Sequence, residues 1–178
     1  MRNVFVQTNE ATGNQVVAFR RGEDGSLELA GRFETGGRGD GVPHLTSQGS
    51  VVLTSDGRGL LVTNAGSGDL TLFAIADGGL ELLATVPTGT APKSVAEHGG
   101  LVYVLNTGEP SLAGFRVDGG LTPLVDSRRE LVADADPAQV GFAPSGKALV
   151  VTDRGRGVEA VIDIGLRQLL DQSGLDRV

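Results

Sequence analysis

Cysteine and tryptophan are both missing from this sequence, and tyrosine and methionine occur once each. With no cysteine there is no disulfide to staple the chain and no thiolate to hold a metal, which agrees with a cytoplasmic location. Aromatic residues make up only 4% of the chain, so a core has to be assembled from Val, Leu and Ala. No stretch approaches the ~18 consecutive apolar residues of a membrane span. The first residues, MRNVFVQTNE, enter a strand pattern at once with no apolar leader. Basic residues are in deficit, 15 against 22 acidic, for a net charge of −7. With no basic run to offset it, such a surface repels phosphate backbones and argues against nucleic acid as a partner. There is no GxGxxG opening a helix, no P-loop, no HExxH and no GxSxG, so no motif calls for a cofactor, and none is expected.

Glycine is what the chain has in abundance, 28 of 178 residues, roughly twice the ~7% average. The glycines sit at turns. Residues 47–92 show the pattern most completely: SQGSVVLTSDG is followed by RGLLVTNAGSGDLTLFAIADGGLELLATVPTG. Short alternating apolar runs bounded by Asp-Gly, Gly-Ser-Gly and Asp-Gly-Gly are strands joined by tight turns. A four-stranded antiparallel meander repeating every ~45 residues is the sign of a β-propeller blade. GLVYVLNTGEPSLAGFRVDGGLTPL and NVFVQTNEATGNQVVAFRRGEDGSLEL repeat it. In this alignment Asn9, Asn64 and Asn106 fall at one place, just after the second strand, with Asp153 there in a fourth copy. Phe19, Phe73, Phe115 and Ile162 share another place, on the third strand.

The fold class expected is therefore all-β: a β-propeller of four-stranded antiparallel blades, about three and a half of them in a single domain. The blades divide at roughly 1–46, 47–91, 92–138 and 139–178. Strands are expected near 3–7, 15–20, 27–33, 49–54, 59–63, 70–75, 80–85, 101–105, 112–117, 139–143 and 148–152. The first blade begins at its second strand. Long polar connections lie at residues 35–46 and 132–138, and long loops tend to carry function. Beyond residue 165, Leu166, Leu169 and Leu170 recur at helical spacing, so a short C-terminal helix and a further strand are both open.

The segments GLLVTNAGSGDLTLFAI, LVYVLNTGEPSLAGFRV and ADPAQVGFAPSGKALVVTDRG resemble the lactonase family of seven-bladed β-propellers, which includes bacterial 6-phosphogluconolactonase. The resemblance covers residues 3–155 and corresponds to the N-terminal half of such a propeller. After Arg154 the sequence GRGVEAVIDIGLRQLL departs from the family's polar turn and aromatic strand. The resemblance implies hydrolysis of a sugar lactone such as 6-phosphogluconolactone, with the ligand at the mouth of the central channel. Two other readings stand beside it. One is a non-catalytic propeller scaffold that binds a small molecule or protein. The other is a half-length form with the fold and no activity.

Loops between blades, and the turns between second and third strands, lie on one face of a propeller. That places His44, Gln48, Asn64, Lys93, Asn106, Gln139, Asp153 and Arg154 around the channel mouth. A lactonase needs a base to activate water and donors for the carbonyl oxygen. His44 is the candidate base, since its unshifted pKa lies near neutrality. Lys93 and Arg154 are candidates for holding a phosphate or carboxylate. Gln48 and Gln139, aligned with Lys93 at one place where the inner strand enters, are candidate donors. Asn64 and Asn106 join them as candidate substrate contacts. The plain alternatives are turn-capping for Asn64, Asn106 and Asp153, backbone or water contacts for Gln48 and Gln139, and solvated side chains for Lys93, Arg154 and His44. His98 belongs to a turn on the opposite face. Asp40, Asp134 and Asp136 carry no fixed calcium spacing, so no metal is expected. A chain of three and a half blades leaves sheet faces open at both ends, and a homodimer that completes a ring is the expected relief.

Overall fold

The computed structural model describes residues 2–42, 48–77, 79–155 and 157–163. Among them every regular element is a strand, and no helix is long and apolar enough to cross a membrane. The expected helix beyond residue 165 lies outside the described residues.

The strands form sheets in chain order. β1 (Arg2–Gln7), β2 (Gln15–Arg21) and β3 (Leu27–Glu34) make a first, three-stranded sheet. β4 (Val51–Leu53), β5 (Gly59–Asn64), β6 (Asp69–Ala76) and β7 (Gly79–Pro87) make a complete four-stranded meander. β8 (Pro92–His98), β9 (Leu101–Asn106), β10 (Ser111–Val117), β11 (Leu121–Pro123) and β12 (Arg129–Glu130) make the third. β13 (Pro137–Phe142), β14 (Ala148–Asp153) and β15 (Gly157–Asp163) make the fourth. All pairings are antiparallel, and all but β10–β12 join neighbours in sequence, as the Gly-rich turns dictate. These are stacked propeller blades.

The third blade's outer strand departs from a single run. It is split into β11 and β12, both on β10. Pro123 removes a ladder donor, and Asp126 sits at φ 54°, so the chain steps out at residues 124–128. The Ser127 hydroxyl fills the gap by accepting from Gly114 N at 3.0 Å and donating to Leu124 O at 2.7 Å.

The core lies between blades. Val16 on the first blade packs with Leu60, Val62 and Phe73 on the second. Leu61, Leu70 and Leu72 on the second pack with Val102, Val104 and Phe115 on the third. Tyr103, Leu105 and Leu112 on the third pack with Val140, Leu149 and Val151 on the fourth. Each middle blade thus has two apolar faces, so β5 and β9 are buried along their whole length. Small aliphatic side chains fill these thin layers, which is why so few aromatics suffice.

The register corrects two alignments made on sequence. Leu60 pairs with Phe73, Val102 with Phe115, and Val4 with Phe19. Counting along from these pairs, the residue equivalent to Asn64 and Asn106 in the first blade is Thr8, not Asn9. The first turn is longer, and Asn9 instead bonds Asp40 and the carbonyl of Val42. Likewise Val51, Val95 and Val140 are equivalent, facing Val62, Val104 and Val151. Gln48, Lys93 and Gln139 therefore occupy three successive places, not one. Bulges at Pro92/Ser94 and Pro137/Gln139 add a residue at the strand entrance, where matching by polarity slips the register.

Candidate functional site

The end of the stack that carries the inter-blade loops is knitted by one repeated contact. The residue after the Asn place donates its N–H to the residue before the inner strand: Thr107 N to Ala91 O and Arg154 N to Asp136 O, both at 3.0 Å. In the second blade, Gly66 N reaches Arg38 O at 2.9 Å. The loop and the turn of successive blades thereby form one surface beside the inner strands β4, β8 and β13.

Asn64 and Asn106 lie beneath that surface and are fully buried. Asn64 donates to Asp69 Oδ1 at 2.6 Å and Thr71 Oγ1 at 3.0 Å, and accepts from Asn14 Nδ2 at 2.9 Å and Thr35 Oγ1 at 2.8 Å. Asn106 accepts from Thr88 Oγ1 and donates to Thr88 O, both at 3.1 Å. An amide is needed here because each place asks for a donor and an acceptor at once. Asp153, also buried, uses its two oxygens to accept from Asp136 N at 2.6 Å and Gly155 N at 2.7 Å. Gly37 and Gly89 leave the room these groups occupy: a Cβ on Gly37 would stand 2.5 Å from the Asn64 amide, and one on Gly89 2.8 Å from that of Asn106. Asn64 and Asn106 thus bond within the protein in the way the turn-holding alternative describes. Each amide ties its own blade's second-to-third-strand turn to the preceding blade.

Lys93 and Arg154 do come together, through Asp136, which the sequence raised only in connection with calcium. Arg154 reaches out from the fourth blade to Asp136 in a two-pronged ion pair, with Nε donating to Oδ2 at 2.8 Å and Nη2 to Oδ1. Lys93, at the entrance of β8, lies close enough to act electrostatically on the same carboxylate. The Arg154 hydrogen bond holds the Asp136 carboxyl below the usual carboxylate range, and Arg154 and Lys93 charges add to it. The reciprocal bond from Asp136 pushes Arg154 up. Gln139 is half-buried at the start of β13, one residue before Val140, whose N–H donates to Ser94 Oγ at 3.2 Å. Lys93, Asp136 and Arg154 thus meet at the junction of the third and fourth blades at the inner edge, whereas Gln139, paired with Thr152, lies on the face of β13 opposite to Val140. Asp136 occupies the place of Ala91, and Arg154 that of Thr107, so this charge pair belongs to one junction alone. The signal that could have found it was the shared Pro92/Pro137 step, which aligns Ala91 with Asp136.

Gln48 is exposed before β4, outside this group. His44 lies outside the described residues. His98 is exposed at the end of β8, beside the β8–β9 turn at the far end, where its ring lies tilted against Phe142 with centroids 5.6 Å apart. Among the described residues no three His, Asp or Glu side chains gather as metal ligands. Asp40 is engaged by Asn9 and Val42 instead of joining Asp136.

The chain matches no curated protein sequence. Among solved structures it resembles a protein from Lactobacillus plantarum, at 18% identity and a TM-score of 0.67 over 90% of this chain and 54% of that one. It also resembles a candidate 6-phosphogluconolactonase from Bacteroides uniformis, at 15% identity and 0.61 over 90% and 53%. A third is the periplasmic gluconolactonase of Pseudomonas aeruginosa, at 19% identity and 0.61 over 86% and 47%. At these identities the likeness is one of fold, and the chain spans about half the length of each. The profile of the family described as "Lactonase, 7-bladed beta-propeller" matches residues 3–134, most of the chain. The stacked meanders, the knitted loop end and this match agree, and the chain belongs to the lactonase family of seven-bladed β-propellers.

Proposed function

We propose that this protein binds and hydrolyses a sugar lactone at the junction of its third and fourth blades. The observation that carries this is the convergence of Lys93, Asp136 and Arg154 at the loop end, beside the inner strands. Sugar lactones combine a polarised ester carbonyl with a ring of hydroxyls. An ionised Asp136, fixed by Arg154, is an acceptor for hydroxyls. Lys93 is a donor for the carbonyl oxygen, where negative charge develops as water attacks. The general base that takes the water proton is assigned on sequence alone to His44. The ring oxygen leaves as the hydroxyl of the open-chain acid, after taking up that proton. Because Asp136 already offsets one of the two cations, neutral and phosphorylated lactones are both within the proposed substrate class, 6-phosphogluconolactone included.

Lactone hydrolysis followed by pH-stat, with glucono-lactone and its 6-phosphate, tests this against the spontaneous rate. Lys93→Ala and Asp136→Ala are expected to lower kcat/KM by roughly 10- to 100-fold. His44→Ala is expected to lower kcat by roughly 100-fold or more. Rates no faster than spontaneous hydrolysis for both lactones, in a folded sample, would remove the hydrolase reading. Calorimetric binding of either lactone without turnover would leave a binding scaffold in its place.

A further inference from the structure

The third and fourth blades meet in a different chemistry from the second and third. Counting back from the paired valines, Lys93 stands at the place of Gly49, and Asp136, Asp153 and Arg154 stand at those of Ala91, Asn106 and Thr107. Between the second and third blades all four places are uncharged. Between the third and fourth all four are ionisable, two cations and two carboxylates. The charges at this junction come as a balanced set.

Asp153 is the buried member of the set, 5% exposed. Its two oxygens accept from the backbone on either side of Arg154 in the contact network, Asp136 N at 2.6 Å and Gly155 N at 2.7 Å. Arg154 N in turn donates to Asp136 O at 3.0 Å. The Asp136 backbone is thereby held at its N–H and at its carbonyl, while its side chain meets the Arg154 guanidinium. An amide at residue 153 would supply one acceptor only and would set its own N–H against the second backbone N–H. The Asp153 charge also favours the Arg154 cation, as the Lys93 charge favours the Asp136 carboxylate. The four charges sum to zero. In the sequence, the flanking Asp134 and Arg156 add one of each sign. A site so balanced, on a chain of net charge −7, offers a phosphate no surplus of positive charge.

We propose, on the reading of this junction as a lactone site, that Asp153 is a positioning residue that keeps the junction free of net charge, so that the site favours uncharged sugar lactones over their phosphate esters. Being buried, Asp153 acts on a ligand through Asp136 and Arg154.

The test compares kcat/KM for glucono-lactone and its 6-phosphate, on the 178-residue chain and on Asp153→Asn. The native chain is expected to favour the neutral lactone by roughly 3- to 10-fold. Loss of backbone positioning in the variant lowers both values alike. Loss of the Asp153 charge leaves one surplus cation, and is expected to raise the phosphate-to-neutral ratio roughly tenfold. Salt supplies a second measurement that needs no variant. Between about 20 and 200 mM NaCl, the native KM for the 6-phosphate is expected to stay within about twofold, since a balanced site does not draw the dianion from a distance. A ratio unchanged by Asp153→Asn in a folded sample, a native preference for the 6-phosphate, or a native KM that climbs severalfold with salt would each overturn the proposal while hydrolysis itself stands. If neither lactone is turned over, the hydrolase reading falls instead, and calorimetric titration with the same two ligands decides the charge preference. Binding of neither removes both.

Discussion

At the scale of single residues, the loop end is held by buried amides. Asn64 serves four partners, two from its own blade and two, Asn14 and Thr35, from the blade before. Asn64→Ala strands these groups without water, and a loss of about 2–4 kcal/mol is expected in chemical denaturation. Thr8 fills the same place in the first blade with a hydroxyl that bonds Asn14 Oδ1 and Gln15 N. The sequence signalled that an Asn recurs after the second strand. It did not signal which way the amide faces, because turn-capping and ligand contact ask for the same residue beside the same glycines. Tyr103 offers a second measurement. Burial pushes its phenol above the ordinary value, with Arg129 pulling weakly the other way. A folded value above the unfolded one, about 10, means the Tyr103 contribution to stability is complete below pH ~10 and drains away as pH rises through the folded value. Thermal melts should therefore fall more steeply above pH ~10 in the native chain than in Tyr103→Phe. As the sole tyrosine in a chain without tryptophan, it can be followed by its own phenolate absorbance, and a titration at the ordinary value would contradict this.

At the scale of strands, the meander was legible because hairpins are local: alternating apolar residues set the faces and Gly-rich turns set the order. Register at the inner strands was not. β4 has three residues, and β8 and β13 open with bulges, so too few alternating positions exist to fix the phase. The slip hid the equivalence of Asp136 with Ala91, and with it the ion pair of the candidate site. The broken outer strand of the third blade yields a prediction of its own. Ser127 replaces a missing rung by receiving the Gly114 N–H. Ser127→Ala should destabilise the chain by about 1–2 kcal/mol, read as a lower denaturation midpoint with an unchanged slope. A midpoint equal to that of the native chain would show that water takes over the bond.

At the scale of the whole molecule, each blade is continuous in sequence and packs only on its neighbours in the stack. The number and order of the blades could be read from the repeat. That linear arrangement has a consequence in time. In a structure whose layers touch only the next layer, opening proceeds from the ends and each step exposes one more junction. Amide hydrogens of β5 and β9, sandwiched on both sides, should exchange with deuterium last. Those of β3, exposed over most of its length, should exchange first. The pattern should form a gradient along the chain rather than a single cooperative rate.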